Sequence, residues 1–106
     1  MKGELRRNAS ERLMFSAGDV PATEYPALSR SVARKFELKP LSEQLEGFAG
    51  GVDLISQKYS SGAGLVCLEW DNWLGFIATS EDDQSEELIK RIALHLCPGV
   101  DCSEAP

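Results

Sequence analysis

The sequence has no apolar run approaching the roughly 18 residues that suggest a membrane span. Its charged N-terminus, MKGELRR, is followed by no apolar segment of the kind found in secretory signals. Cysteine is scarce, and Cys67, Cys97 and Cys102 make an odd count that does not fit a disulfide framework. We therefore expect a cytoplasmic protein that does not enter a membrane.

Basic residues are also in the minority. Eleven Lys and Arg residues against 17 Asp and Glu residues give a formal net charge of −6. Because affinity for nucleic acid depends mainly on Lys and Arg neutralising phosphates, we expect no nucleic-acid partner. An acidic surface favours solubility and would suit a basic protein partner.

Motifs for catalysis or cofactor binding are missing as well. Residues 60–64, SSGAG, have the small side chains of a phosphate-binding loop, but no Walker lysine follows them. His95, Cys97 and Cys102 lie close in sequence, yet structural zinc needs four ligands. The fourth would have to be Cys67, from the interior of a predicted strand. We predict no metal site, no cofactor and no enzymatic activity.

The clearest structural signal is the stretch LVCLEWDNWLGFIAT, residues 65–79. Two apolar runs flank Asp71-Asn72, which is the pattern of a β-hairpin. A two-residue loop would put Trp70 opposite Trp73, whereas a longer loop would change the pairing and the faces. With the two-residue loop, one face carries Val66, Leu68, Trp70, Trp73 and Ile77, and the other carries Leu65, Cys67, Leu74 and Phe76. Since both faces are apolar, we expect the hairpin to be covered on both sides or to contact a partner.

Two amphipathic helices are predicted. Over residues 25–37, apolar side chains recur three or four apart, and Thr23 is a candidate N-cap. In the second helix Ser80 or Ser85 can cap an acidic first turn, and basic residues near its end suit the helix dipole. Its expected buried stripe consists of Leu88, Ile89, Ile92, Ala93 and Leu96.

The remaining segments complete an α+β fold. We predict strands near residues 11–17 and 52–59, while residues 41–49 fit either a helix or a strand and are interpreted as an irregular lead into the next strand. Short loops between neighbouring strands favour antiparallel pairing. The expected architecture is a two-layer sandwich, with an antiparallel sheet of about four strands, a central hairpin and two helices on one face.

This fold accounts for one domain over residues 11–97. Residues 1–10 are expected to form a flexible N-terminal segment, with at most an edge strand beginning near Leu5. Residues 98–106, which follow the second helix, are expected to form a disordered tail.

The hairpin turn is the candidate binding site, and its residues are Glu69, Trp70, Asp71, Asn72 and Trp73. Tryptophan is over-represented at binding hot spots. Asp-Asn is also ordinary turn chemistry, and both tryptophans could instead pack along the sheet. Glu69 and Asp71 form the only carboxylate pair flanked by aromatic rings, but nothing in the sequence positions a substrate beside them.

We predict a small, acidic, non-catalytic protein-binding domain. It would associate with itself through its sheet as a homodimer, or act as an immunity-type or chaperone-type partner of another protein. Its layout and acidity are similar to those of small bacterial effector chaperones and toxin-immunity proteins, an architecture that unrelated functions share. One alternative is a small enzyme or ligand-binding domain with a pocket between the helices and the hairpin, using Glu69, Asp71 or His95. Another is a structural subunit of a larger assembly.

Overall fold

The computed structural model describes residues 2–49 and 52–98. In that part of the chain the elements are β1 (Glu4–Arg7), β2 (Leu13–Ala17), α1 (Tyr25–Lys35), β3 (Lys39–Pro40), β4 (Leu45–Ala49), β5 (Val52–Ser61), β6 (Gly64–Asp71), β7 (Gly75–Ser80) and α2 (Glu86–Leu96). Neither of these two helices is long and apolar enough to cross a membrane. The tail predicted at residues 98–106 lies outside the described residues, except for Pro98.

All seven strands join one antiparallel sheet in the order β1-β2-β7-β6-β5-β3, and β4 also pairs with β5. The α+β class is confirmed, but the prediction of about four strands is wrong. Strands β3 and β4 were missed, because β3 has only two residues and the spacing of residues 41–49 fits a helix as well as a strand, whereas β1 is the edge strand that the sequence allowed near Leu5. Strand β1 contains Leu5, within the segment expected to be flexible, and β4 falls within the segment expected to be irregular.

Both helices pack against the same face of the sheet, which we call the helix face. Within the core, the ring of Tyr25 lies 6.1 Å from that of Phe76, centroid to centroid. The buried cluster includes Leu13, Phe15, Val66, Leu68, Phe76 and Ala78 from the sheet, with Tyr25, Val32, Leu88, Ile89, Ile92 and Ala93 from the helices. Each large apolar side chain that is fully buried contributes about 1.5–3 kcal/mol. The buried stripe predicted for α2 is confirmed apart from Leu96, which is half-buried.

The β6–β7 hairpin is confirmed, and of the two loop lengths that the sequence left open its loop is the longer one. Asp71 pairs with Gly75, so the loop has the three residues 72–74, and Trp70 lies opposite Phe76 instead of Trp73. Strand alternation then puts Phe76 on the helix face and moves Ile77 to the opposite, open face. Gly75 explains this register, because its φ of 72° is in the left-handed region that glycine adopts readily.

The helix starts also differ from the predicted caps. Helix α1 begins after Glu24, not Thr23, and no side chain makes a capping hydrogen bond there. Ser85 occupies the N-cap position of α2, but its side chain makes no cap bond either. Instead the carboxylate of Asp82 accepts a hydrogen bond from the Ser85 amide at 2.9 Å, and the fully buried hydroxyls of Ser80 and Ser85 lie 2.8 Å apart.

Candidate functional site

The open face of the sheet carries no packed helix in the described residues, yet its centre is shielded from solvent. Strand register aligns one row of side chains across it, formed by Lys58, Cys67, Thr79, Met14 and Arg6. A parallel row is formed by Leu45, Ser56, Glu69, Ile77, Ser16 and Glu4. The central members of both rows are buried or half-buried. Accessible side chains therefore lie toward the margins of this face.

Cys67, Ser56 and Glu69 form a polar group near the middle of the open face. The Sγ atom of Cys67 lies 3.5 Å from the Oγ atom of Ser56. Burial raises the pKa of Cys67 to about 12, so the thiol stays protonated at neutral pH and is a poor nucleophile. Burial also raises the pKa of Glu69 above its ordinary value, while the hydrogen bond with Cys67 opposes this shift.

The structure separates the two tryptophans of the predicted binding turn. Trp70 lies on the helix face, and its Nε1 donates a hydrogen bond to the carbonyl oxygen of Val20 at 2.8 Å. Trp73 lies in the loop, with 76% of its surface exposed. Only Trp73 is thus freely available to a partner.

The polar residues of the turn hold its backbone. The Oδ1 atom of Asp71 accepts hydrogen bonds from the amides of Trp73 and Leu74, at 2.8 and 2.6 Å. The Oδ1 atom of Asn72 accepts one from the amide of Asp53 at 2.8 Å, which ties the loop to the start of β5. These contacts support the interpretation of Asp-Asn as turn chemistry.

A cleft of about 330 Å³ lies beside Trp73. Lys2, Arg6 and Ser16 contribute polar side chains to its wall. The Nε atom of Arg6 is buried without a hydrogen-bond partner in the described part of the chain, while its Nη2 pairs with Glu4. Because these residues come from β1, β2 and the loop, only the sheet order brings them together.

Four exposed leucines form a second surface, beside β5, that sequence reasoning did not assign. We call Leu41, Leu45, Leu54 and Leu65 the leucine surface; their exposed fractions are 57%, 67%, 39% and 40%. Leu45 pairs with Ser56 and Leu65 with Ser60, so both share the open face with these β5 residues. The available signal was the apolar spacing within residues 41–49, which fits both helix and strand.

The helix layer carries a cleft of about 530 Å³ on the other side of the molecule. Its lining residues are Ala27, Arg30, Ser31, Arg34 and Lys35 of α1 with His95 of α2, and we call it the basic cleft. The His95 ring stands edge-on to the Phe36 ring, with their centroids 5.7 Å apart.

The residues of the predicted catalytic alternative do not converge. Glu69 and Asp71 lie two residues apart on the open face, where Asp71 is engaged in the turn, but His95 lines the basic cleft on the helix layer. Cys97 is buried, and Cys102 lies outside the described residues. Among residues 2–49 and 52–98, no three His, Cys, Asp or Glu side chains are grouped so that they could hold a metal ion.

Comparisons of the chain with protein-family models, with curated proteins and with solved structures give no match.

Proposed function

We propose that this protein is a cytoplasmic, non-catalytic protein-binding domain that associates with itself through the leucine surface. The observation that carries the proposal is the exposure of four leucine side chains on the open face, on β5 and on the segments that flank it. Large apolar side chains exposed together on one face of a protein mark interaction sites.

A second copy of the chain is the partner that fits this surface. In a two-fold dimer the same patch meets itself, so a self-complementary surface is required. Leucine can pack on leucine across such an axis. The exposed Lys39 and Lys58 lie on β3 and β5, and the exposed Glu43 lies in the segment between β3 and β4, so both signs of charge are available at the rim.

The chemistry of the open face also favours binding over catalysis. Its central thiol has a raised pKa, and the half-buried Glu69 has no histidine beside it, because the single histidine of the chain lines the basic cleft on the helix layer. A general base and a nucleophile must lie within hydrogen-bond reach of each other.

Sedimentation velocity over a range of protein concentrations tests self-association. We expect the wild-type chain to shift from monomer to dimer as concentration rises, and Leu45→Glu to stay monomeric because it places a charge at the centre of the contact. Leu94→Glu is the matched control, because Leu94 is similarly exposed at 64% but lies on α2.

Two results would overturn this proposal. One is a wild-type chain that remains monomeric at several hundred micromolar, a concentration on the order of the dissociation constant of a weak interface. The other is an equal loss of dimer in Leu45→Glu and Leu94→Glu, which would place the contact elsewhere or indicate general destabilisation.

A second candidate function, an immunity-type or chaperone-type contact with a different and basic protein, is favoured by Trp73. Its side chain is exposed beside a cleft and stands on a turn held by Asp71 and Asn72. Tagged capture from native lysate with wild type, Trp73→Ala and Leu94→Ala would test it. A stoichiometric, salt-sensitive partner lost only with Trp73→Ala is expected, and retention of every partner by that variant would exclude it.

A further inference from the structure

The basic cleft gathers cations that have no carboxylate partner. Arg30, Arg34 and Lys35 have no Asp or Glu oxygen within 4.0 Å among the described residues. By contrast, Arg7 pairs with Glu86 and Lys90 lies 3.6 Å from a carboxylate oxygen of Glu87. Three cations without a carboxylate partner in the described residues therefore line one cleft of a chain whose net charge is −6.

The helix dipole explains only two of these three cations. Arg34 and Lys35 lie in the last turn of α1, where cations are favourable, but Arg30 lies one turn earlier. Arg30 and Arg34 are four residues apart and thus on the same side of the helix, and like charges at this spacing destabilise a helix. An anion bound between them would remove this repulsion.

We propose that the basic cleft binds a small anion that carries two or more phosphoryl groups. Guanidinium groups match phosphate oxygens with paired N–H donors, and the ammonium group of Lys35 adds a third cation. The Ser31 hydroxyl and the His95 ring, which packs against Phe36, supply further polar contacts at the wall.

The size and lining of the basic cleft limit the ligand. From Ala27 to Lys35 the helix rises by roughly 12 Å, at about 1.5 Å per residue, which suits a diphosphate or triphosphate group better than a long polymer. Apart from the imidazole of His95, the described lining residues offer no ring on which a nucleobase could stack. Recognition is therefore directed at the phosphoryl groups.

Titration of the full chain with inorganic pyrophosphate tests this proposal. Calorimetry measures the affinity, and NMR follows the ring protons of His95, which are unambiguous because the chain has one histidine. We expect saturable binding that weakens with salt, together with a shift of the His95 resonances.

Two double variants then locate the site. Arg30→Gln/Arg34→Gln should weaken pyrophosphate binding by about tenfold or more, because it removes both guanidinium forks. Arg12→Gln/Lys90→Gln removes the same number of charges outside the cleft and should leave the affinity within about twofold, since neither residue lines the cleft.

Citrate and ADP distinguish the chemistry of the ligand. Citrate should bind more weakly than pyrophosphate, and ADP should bind about as tightly as pyrophosphate, because apart from the His95 imidazole the described lining offers the adenosine no stacking ring. The proposal is overturned by wild-type protein that does not bind pyrophosphate, by citrate binding of equal strength, or by equal losses in the two double variants. It is independent of dimer formation, so either proposal can fail alone.

Discussion

The indole nitrogen of Trp70 donates a hydrogen bond to the backbone carbonyl of Val20 across 2.8 Å. The two residues are 50 positions apart in the chain, and the bond joins the end of β6 to the loop that leads into α1. Trp70 is thus a structural residue, although its sequence context equally suited a role in recognition.

Replacing this indole should lower stability. Trp70→Phe keeps most of the apolar contact but leaves the carbonyl of the buried Val20 without its donor, so we expect the free energy of unfolding to fall by about 1–3 kcal/mol. Urea denaturation followed by circular dichroism would measure it. The exposed Trp73→Phe should change stability by less than about 0.5 kcal/mol, and a similar loss in both variants would contradict this role for Trp70.

Gly75 should be the glycine least tolerant of substitution in the hairpin. Its φ of 72° strains any other residue, and a Cβ atom there would collide with the carbonyl oxygen of Ala17. We therefore expect Gly75→Ala to destabilise the protein by at least about 2 kcal/mol in thermal unfolding. Gly62→Ala is the control, since a Cβ atom at Gly62 would meet nothing within 4 Å. Equal effects at the two positions would refute this explanation of the hairpin register.

The carboxylate of Asp82 should stabilise the start of α2 in a pH-dependent way. Burial works to raise its pKa, but hydrogen bonds with Ser85 and Leu65 outweigh this effect and hold the pKa below its ordinary value of 3.8. Asp82→Ala should therefore cost about 0.5–2 kcal/mol at neutral pH.

The sign of this pH dependence follows from the lowered pKa. The unfolded chain takes up the proton first, so the contribution of Asp82 is complete above pH 3.8 and is lost as pH falls through the lower, folded pKa. Chemical denaturation of wild type and Asp82→Ala at pH 7 and at the lowest pH where both fold would show the difference shrinking. Glu81→Ala is the control, because that side chain is exposed and directly precedes Asp82. A pH-independent difference would count against the assignment.

Glu69 should show the opposite dependence. Since burial raises its folded pKa above the ordinary 4.5, the folded state binds more protons than the unfolded state between these two values. Wild-type stability should then fall as pH rises through that window. Glu69→Gln cannot ionise at this position and so avoids the fall in stability. It should therefore have a higher melting temperature than wild type at pH 7, and the difference should be smaller at pH 4. The exposed Glu46→Gln should show no such difference, whereas an equal change at both pH values would contradict the raised pKa.

Local sequence located the main elements of the fold but not the register between them. The apolar runs around Asp71 identified the β6–β7 hairpin, and the apolar spacing identified both helices. The loop length depends on Gly75 fitting against Ala17, a contact between residues 58 positions apart that no local pattern encodes. Likewise β3, only Lys39–Pro40, exists because it pairs with β5.

The candidate surfaces were predictable only in part. Trp73 was named from its place in the turn, and the structure leaves it exposed. Leu41 and Leu45 could not be assigned, because their spacing fits a helix or a strand and only the sheet edge decides their exposure. The basic cleft combines α1 with a residue 60 or more positions later in the chain, so it required the packing of the two helices.

The hydrogen bonds around Asp82 also bear on how the molecule opens. Its carboxylate reaches the amide of Leu65 at 3.1 Å, and the amide of Glu81 returns a bond to the Leu65 carbonyl at 2.9 Å. These two hydrogen bonds therefore connect the start of α2 to the beginning of β6. Loosening one exposes backbone groups of the other, so the first turn of the helix and this end of the sheet belong to one cooperative unit instead of fraying separately.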